Sequence, residues 1–131
     1  MKYIELKSSR RDEMIDISNE IQRIVSASNV KQGLAAIHCP HTTAGLTINE
    51  GADPAVKADI IDALSDLVPW DRIYGHAEGN SPAHVKASLM GPCLTIMIDR
   101  GQLVLGQWQR IFFCEFDGPR ERSVYVKLMA G

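Results

Sequence analysis

Three of the four histidines fall in two short polar segments, His41-Thr42-Thr43-Ala44-Gly45 and His76-Ala77-Glu78-Gly79-Asn80-Ser81-Pro82-Ala83-His84. Imidazole titrates near neutral pH and is the commonest metal ligand, so histidines set among Glu, Asn and Thr on loops point to acid/base or metal chemistry. The glycine and proline between His76 and His84 let the chain turn back and bring both rings near one point, with His41 arriving from another loop. Three neutral imidazoles would suit a divalent metal, zinc or magnesium, with an open coordination position. The spacing is neither that of a His-Glu-x-x-His helix nor that of a zinc finger, so structural histidines and metal-free acid/base histidines stay open as alternatives. Ser81-Pro82 opens a helix and puts His84 in its first turn, where the macrodipole disfavours an imidazolium.

Other polar residues stand near these. Arg72, Tyr74, His76, Glu78 and Asn80 share one parity and would project to one side of an extended loop. Thr42 and Thr43 offer hydroxyls and backbone N–H groups to a phosphate, in a loop unlike a Walker cradle. Glu115 interrupts the apolar run Ile111-Phe112-Phe113-Cys114-Glu115-Phe116, where an unpaired carboxylate is costly. Arg120 or Arg122 can compensate it, which leaves two readings: a buried ion pair that fixes the hairpin, or a ligand-facing acid. Trp70 and Trp108 read as core residues.

The elements that must position these groups follow from periodicity. Alternation over residues 2 to 8 and a short strand near 13 to 17 predict an opening hairpin. Ser18 reads as the N-cap of an amphipathic helix bearing Ile21, Ile24 and Val25. Leu34 to Cys39 is a strand ended by Pro40, which hands the chain to the His41 loop. Leu46 to Asn49 returns as a strand, and Asp53-Pro54 starts a second helix that stops at Pro69. After Pro92 long apolar runs predict strands, with 107 to 116 and 123 to 129 pairing as a hairpin across the Asp117-Gly118-Pro119 turn. The sum is one domain over residues 1–131, of the α+β class: a mostly antiparallel, β-sandwich-like sheet with helices grouped on one side.

Composition narrows the partners. A net charge of -2 with scattered Lys and Arg gives no basic field for nucleic acid. Neither an apolar signal segment nor a long uncharged span is evident, so the expected location is cytoplasmic, away from membranes. Cys39, Cys93 and Cys114 are odd in number and lie in apolar runs, which predicts buried reduced thiols.

Taken in order, Pro40-His41-Thr42-Thr43-Ala44-Gly45-Leu46-Thr47-Ile48-Asn49-Glu50, the His76 to His84 segment, Gly106-Gln107-Trp108-Gln109 and Glu115-Phe116-Asp117-Gly118-Pro119-Arg120 resemble the YjbQ family. This family is also called the secondary thiamine-phosphate synthase family. The resemblance spans most of the chain. It implies a homotrimer with sites near subunit contacts, a histidine cluster of His41, His76 and His84, and a polar shell of Asn49, Glu50, Glu78, Asn80, Gln109, Glu115 and Arg120. The implied activity joins a pyrimidine pyrophosphate to a thiazole phosphate. On that reading the three histidines hold or replace a metal, Arg120 binds phosphate, and Glu78 or Glu115 tunes the site. Two other uses of these residues are a metal-dependent hydrolase, with Glu78 or Glu50 as general base, and a non-catalytic binder of a small phosphorylated metabolite.

Overall fold

Alternating side chains at the N-terminus form β1 (Lys2–Lys7), in which Ile4 turns inward. The computed structural model describes residues 1–131, and after β1 come β2 (Glu13–Asp16), α1 (Ser18–Ala27), β3 (Gly33–His38), β4 (Ala44–Glu50), α2 (Pro54–Leu67), α3 (Ser81–Met90), β5 (Cys93–Asp99), β6 (Gln102–Leu103), β7 (Gln109–Glu115) and β8 (Glu121–Ala130). The strands make two antiparallel sheets, a five-stranded one ordered β1-β8-β3-β5-β6 and a three-stranded one ordered β2-β7-β4. Ile4, Ile37, Ile96, Val124 and Val126 from the larger sheet meet Leu46, Ile111 and Phe113 from the smaller, and Ile21 of α1 and Ile17 just before it join the same core. On the far side of the smaller sheet, Met14, Phe112, Cys114 and Phe116 pack with Ala83 and Ala87 of α3 and with Ile60, Ile61 and Leu64 of α2. The architecture is α+β and sandwich-like, with α2 and α3 grouped on one side. The outer face of the five-stranded sheet carries no further layer, and Tyr3, Leu34, Met97 and Met129 are exposed there.

Both expected hairpins are absent, although their strands exist. β1 pairs with β8 and β2 with β7, so the two opening strands lie in different sheets. β7 and β8 are likewise in opposite sheets. The reason lies in β7 itself. Ile111 and Phe113 face one core and Phe112 and Cys114 the other, so β7 is covered on both faces and occupies the centre of its sheet. β2 and β4 take its two edges, and β8 is left to pair elsewhere.

Smaller corrections have local causes. Ile17 rather than Ser18 holds the cap position of α1, because the Ser18 hydroxyl accepts the Ile111 N–H at 2.7 Å and its own N–H donates to Asp16. Asn80 rather than Ser81 precedes α3, and its side chain is engaged elsewhere. Cys93 is exposed, while Cys39 and Cys114 are buried. Trp108 is exposed at the start of β7, outside the core.

Two contacts position α3 and hence His84. A Cβ at Gly45 would lie 2.8 Å from the Gly91 carbonyl and 2.9 Å from Met90 Cβ, so glycine lets the end of α3 close on β4. There the Leu46 N–H donates to the Gly91 carbonyl at 3.0 Å. Gly91 itself takes φ 93°, a left-handed conformation suited to glycine that ends the helix. Lys86 is fully buried; its Nζ donates to Asp12 at 2.7 Å and to Ser65 of α2 at 3.2 Å, tying α3 to α2 and to the segment before β2.

Candidate functional site

The loop after β3, the start of α3 and the segment after β7 surround a cleft of about 340 Å³. Its lining is Pro40, His41, Thr42, Thr43, Glu78, Asn80, His84, Asp117, Arg120 and Arg122, none of them hydrophobic. Of the residues singled out in the sequence, His41, Thr42, Thr43, Glu78, Asn80, His84 and Arg120 thus meet in one place.

His41 stands where β3 gives way to β4, half-buried and edge-on to Phe113. Its Nε2 is 3.0 Å from the Ser123 N–H and 3.2 Å from the Ser123 carbonyl. Burial first, then the charge of Arg122, hold its pKa below the usual histidine range, against opposing pulls from Ser123 and Glu115. The ring is therefore neutral at pH 7. Nε2 faces both backbone groups of Ser123, accepting its N–H in one neutral tautomer and donating to its carbonyl in the other.

His76 and His84 touch ring edge to ring face, with centroids 5.4 Å apart. Glu78 Oε2 lies 3.7 Å from His76 Nε2, too far for a hydrogen bond. No three His, Cys, Asp or Glu side chains gather closely enough to hold a metal ion. His41 turns Nε2 into the β8 backbone while the other two histidines pair with each other, so the expected three-histidine ligand set is not assembled within one chain.

Asn80 and Arg120 converge on Asp117: Asn80 Nδ2 donates to Oδ2 at 2.9 Å, Arg120 Nη2 to the same oxygen at 3.0 Å, and Arg120 Nε to the Asp117 carbonyl at 2.8 Å. Asn80 Oδ1 is buried without a partner, at the lip of the cleft. Arg120 therefore enters the site already bridged to a carboxylate.

Glu115 does not reach the cleft. It is fully buried, its oxygens accepting from Arg122 Nε at 3.0 and 2.9 Å and from the Ser8 hydroxyl at 2.7 Å. The geometry is that of a buried ion pair, and it bridges the two sheets rather than fixing a hairpin. Arg122 Nη2 continues the network to the Thr43 hydroxyl at 2.9 Å. Gly118 fits beside this network because a Cβ there would collide with the Arg10 carbonyl and the Ser8 hydroxyl. Arg122 and Asp117 were missed as cleft residues. Arg122 shares parity with the core residues Val124 and Val126, and that alternation was the signal that it points inward.

Asn49, Glu50 and Gln109 lie elsewhere. Glu50 pairs with Gln109 at one end of the β4–β7 ladder, and Ala44 pairs with Glu115 at the other. Five residues of strand put roughly 17 Å between Asn49 and Ala44. Their side chains serve local bonds: Asn49 accepts the Glu50 N–H at 2.7 Å, Glu50 the Asp53 N–H at 3.0 Å, and Gln109 the Gly106 N–H at 2.7 Å.

A second hollow of about 490 Å³ opens against β1 and β8, with Glu5, Lys7 and Glu121 on its walls. His41 and Arg122 line both hollows and so form the partition between them.

Two antiparallel sheets face to face, two helices laid over the smaller, and a polar histidine cleft where β3 turns into β4 define an α+β class of small protein built around one loop. The chain belongs to the family described as UPF0047 protein YjbQ-like, whose model matches residues 2–131. It is similar to UPF0047 protein YugU of Bacillus subtilis, 46% identical over 130 residues and covering 98% of both chains. UPF0047 protein MJ1081 of Methanocaldococcus jannaschii is 54% identical over 128 residues, covering 98% of this chain and 92% of that one. A crystal structure of an uncharacterised YjbQ/UPF0047 protein from Clostridium acetobutylicum superimposes with a TM-score of 0.97 at 51% identity, covering 98% of this chain and 100% of that one. A protein of unknown function from Sulfolobus solfataricus gives 0.95 at 31% identity, covering 99% and 96%. No helix is long and apolar enough to cross a membrane.

Proposed function

We propose that the His41 cleft binds a phosphorylated small molecule, and that the chain joins a pyrimidine pyrophosphate to a thiazole phosphate to give thiamine phosphate and pyrophosphate. The observation that supports this is the lining itself: ten residues with no hydrophobic member, among which imidazoles, hydroxyls and two guanidinium groups supply donors. In this reaction the thiazole nitrogen forms a C–N bond to the pyrimidine's methylene carbon as the C–O bond to pyrophosphate breaks. Negative charge grows on the leaving group, so a site that aligns the two partners and supplies fixed donors is sufficient. Thr42, Thr43 and the guanidinium groups of the lining are assigned to phosphate, and His84, with His76 beside it, to orienting the substrates. Neither the metal-ligand role of the three histidines nor a hydrolase built on it is favoured, because their side chains do not converge on one point.

The test is incubation of the full chain with both substrates and magnesium, with thiamine phosphate and released pyrophosphate measured together. Equal amounts of both products, abolished by His84→Ala in a folded protein, are expected. Unchanged substrates that nevertheless bind would favour the second reading, a non-catalytic binder of a phosphorylated metabolite. The homotrimer implied by the resemblance, and the cytoplasmic location, belong to the same proposal. The uncovered apolar face around Leu34, Met97 and Met129 supports self-association, and a solution mass of three chains is the expected result.

A further inference from the structure

We infer that Arg122, rather than Arg120, is the anion anchor of this protein, presenting Nη1 to a phosphoryl group at the partition between the two hollows. The inference rests on the reading above that the site takes phosphorylated ligands, and it names the group that holds them. Arg122 is all but buried, with 5% of its side chain exposed. Nε is spent on both oxygens of Glu115, and Nη2 on Glu115 and Thr43, so the guanidinium plane is fixed on two sides. Nη1 makes no hydrogen bond within the chain, yet it is not among the buried atoms sealed without a partner. Two N–H vectors of an immobilised cation are thereby left for a ligand.

The lining of the same cleft supplies matching groups. Thr43 Oγ1 accepts from Arg122, so its own proton is free to donate outward, and Thr42 adds a second hydroxyl to the lining. His41 lines the same cleft with its Nε2 engaged by the Ser123 backbone. Of the acceptors in the cleft, Asp117 is occupied by Asn80 and Arg120, while Glu78 and Asn80 Oδ1 receive no hydrogen bond within the chain. The Arg122 guanidinium and the two threonine hydroxyls together present donors to the cleft, and the planar fork of an arginine suits the oxygens of a phosphoryl group. Arg120 is the weaker candidate: its side chain is 53% exposed and bridged to Asp117, so solvent screens it and a ligand must compete with the bridge.

The probe is inorganic pyrophosphate, titrated calorimetrically into the full chain. Substituting Arg122 alone leaves Glu115 buried and unpaired, so the informative variant is Arg122→Met with Glu115→Gln, which removes the pair together. Affinity is expected to fall about tenfold or more in that variant with its circular dichroism intact, and by about threefold at most in Arg120→Met. Binding within twofold of the unsubstituted chain by the folded double variant, or no pyrophosphate binding by the unsubstituted chain, would overturn the inference. Should the double variant unfold, amide shifts of the unsubstituted chain decide: the largest changes are expected at Thr42, Thr43, Arg122 and Ser123. Changes confined to Asn80, Asp117 and Arg120 would count against it. Malonate is the control, since displacement of pyrophosphate by equimolar malonate would assign the anchor to carboxylates instead. Pyrophosphate binding without thiamine phosphate formation would remove the transferase reading and leave the anchor standing.

Discussion

Arg122 and Glu115 are seven residues apart in sequence and belong to different sheets, yet Arg122 Nε lies within 3.0 Å of both Glu115 oxygens. The pair spans the sandwich at the end where the cleft opens. Its hydrogen bonds reach Ser8 before β2 and Thr43 beside His41, so four separate stretches of chain share one charge-balanced knot. A buried pair of this kind contributes less to net stability than to geometry, because desolvation offsets much of its attraction.

His41 gives the pH dependence. Its folded pKa is lowered from the ordinary value of 6.5 by burial and by Arg122, so below that value the unfolded chain binds a proton that the folded chain resists. Stability from this group is complete above the unfolded pKa and drains away as pH falls toward the lowered folded value. Urea unfolding at pH 7.5 and 5.5 is expected to show a smaller acid loss in His41→Gln than in the unsubstituted chain. An equal loss in both proteins would show that His41 is not the group responsible.

Gly45 and Gly75 make opposite predictions for one added methyl group. At Gly45 it meets the Gly91 carbonyl and Met90 Cβ at under 3 Å, whereas nothing lies within 4 Å of Gly75. Gly45→Ala is expected to cost about 1–3 kcal/mol by forcing α3 off β4, and Gly75→Ala to change the denaturation midpoint hardly at all. Because α3 carries His84, ligand binding should weaken only in the first variant.

Lys86 and Asp12 should behave as a unit. Lys86→Met leaves the nearly closed Asp12 carboxylate with only the half-exposed Arg11 and the Ser65 hydroxyl as partners, and the expected loss is about 2 kcal/mol, below that of a buried charge left wholly unpaired. Asp12→Asn combined with Lys86→Met should recover most of that loss. A double variant as unstable as the sum of its parts would mean that the two residues contribute independently.

Much of this arrangement was legible from local pattern. Pro40 ending β3, Asp53-Pro54 opening α2, and the polar character of the two histidine segments were each readable, because capping, strand termination and buried-run signals act over a few residues. Asp53 does accept the Ala55 N–H at 2.9 Å. What failed was pairing. The Asp117-Gly118-Pro119 segment looks like a hairpin turn, but it carries the chain between sheets, and only the double-sided burial of Ile111 to Cys114 distinguishes the two cases. The same shortcoming hid Arg122, whose role depends on Glu115 and Thr43 meeting it across the sandwich. Lys86 gave no sequence warning, since its partners Asp12 and Ser65 lie far from it along the chain.

The position of β8 also sets when the molecule can fold. It is the last strand in the chain, yet it lies between β1 and β3, supplying the ladder partner for residues 2–7 on one edge and 33–38 on the other. During synthesis β1 therefore has no neighbour in its sheet until residues 121–126 have emerged. Arg122, which completes the wall beside His41, arrives in the same stretch. Contacts of such long sequence separation slow folding, and the cleft can take shape only after residues 121–126 have left the ribosome.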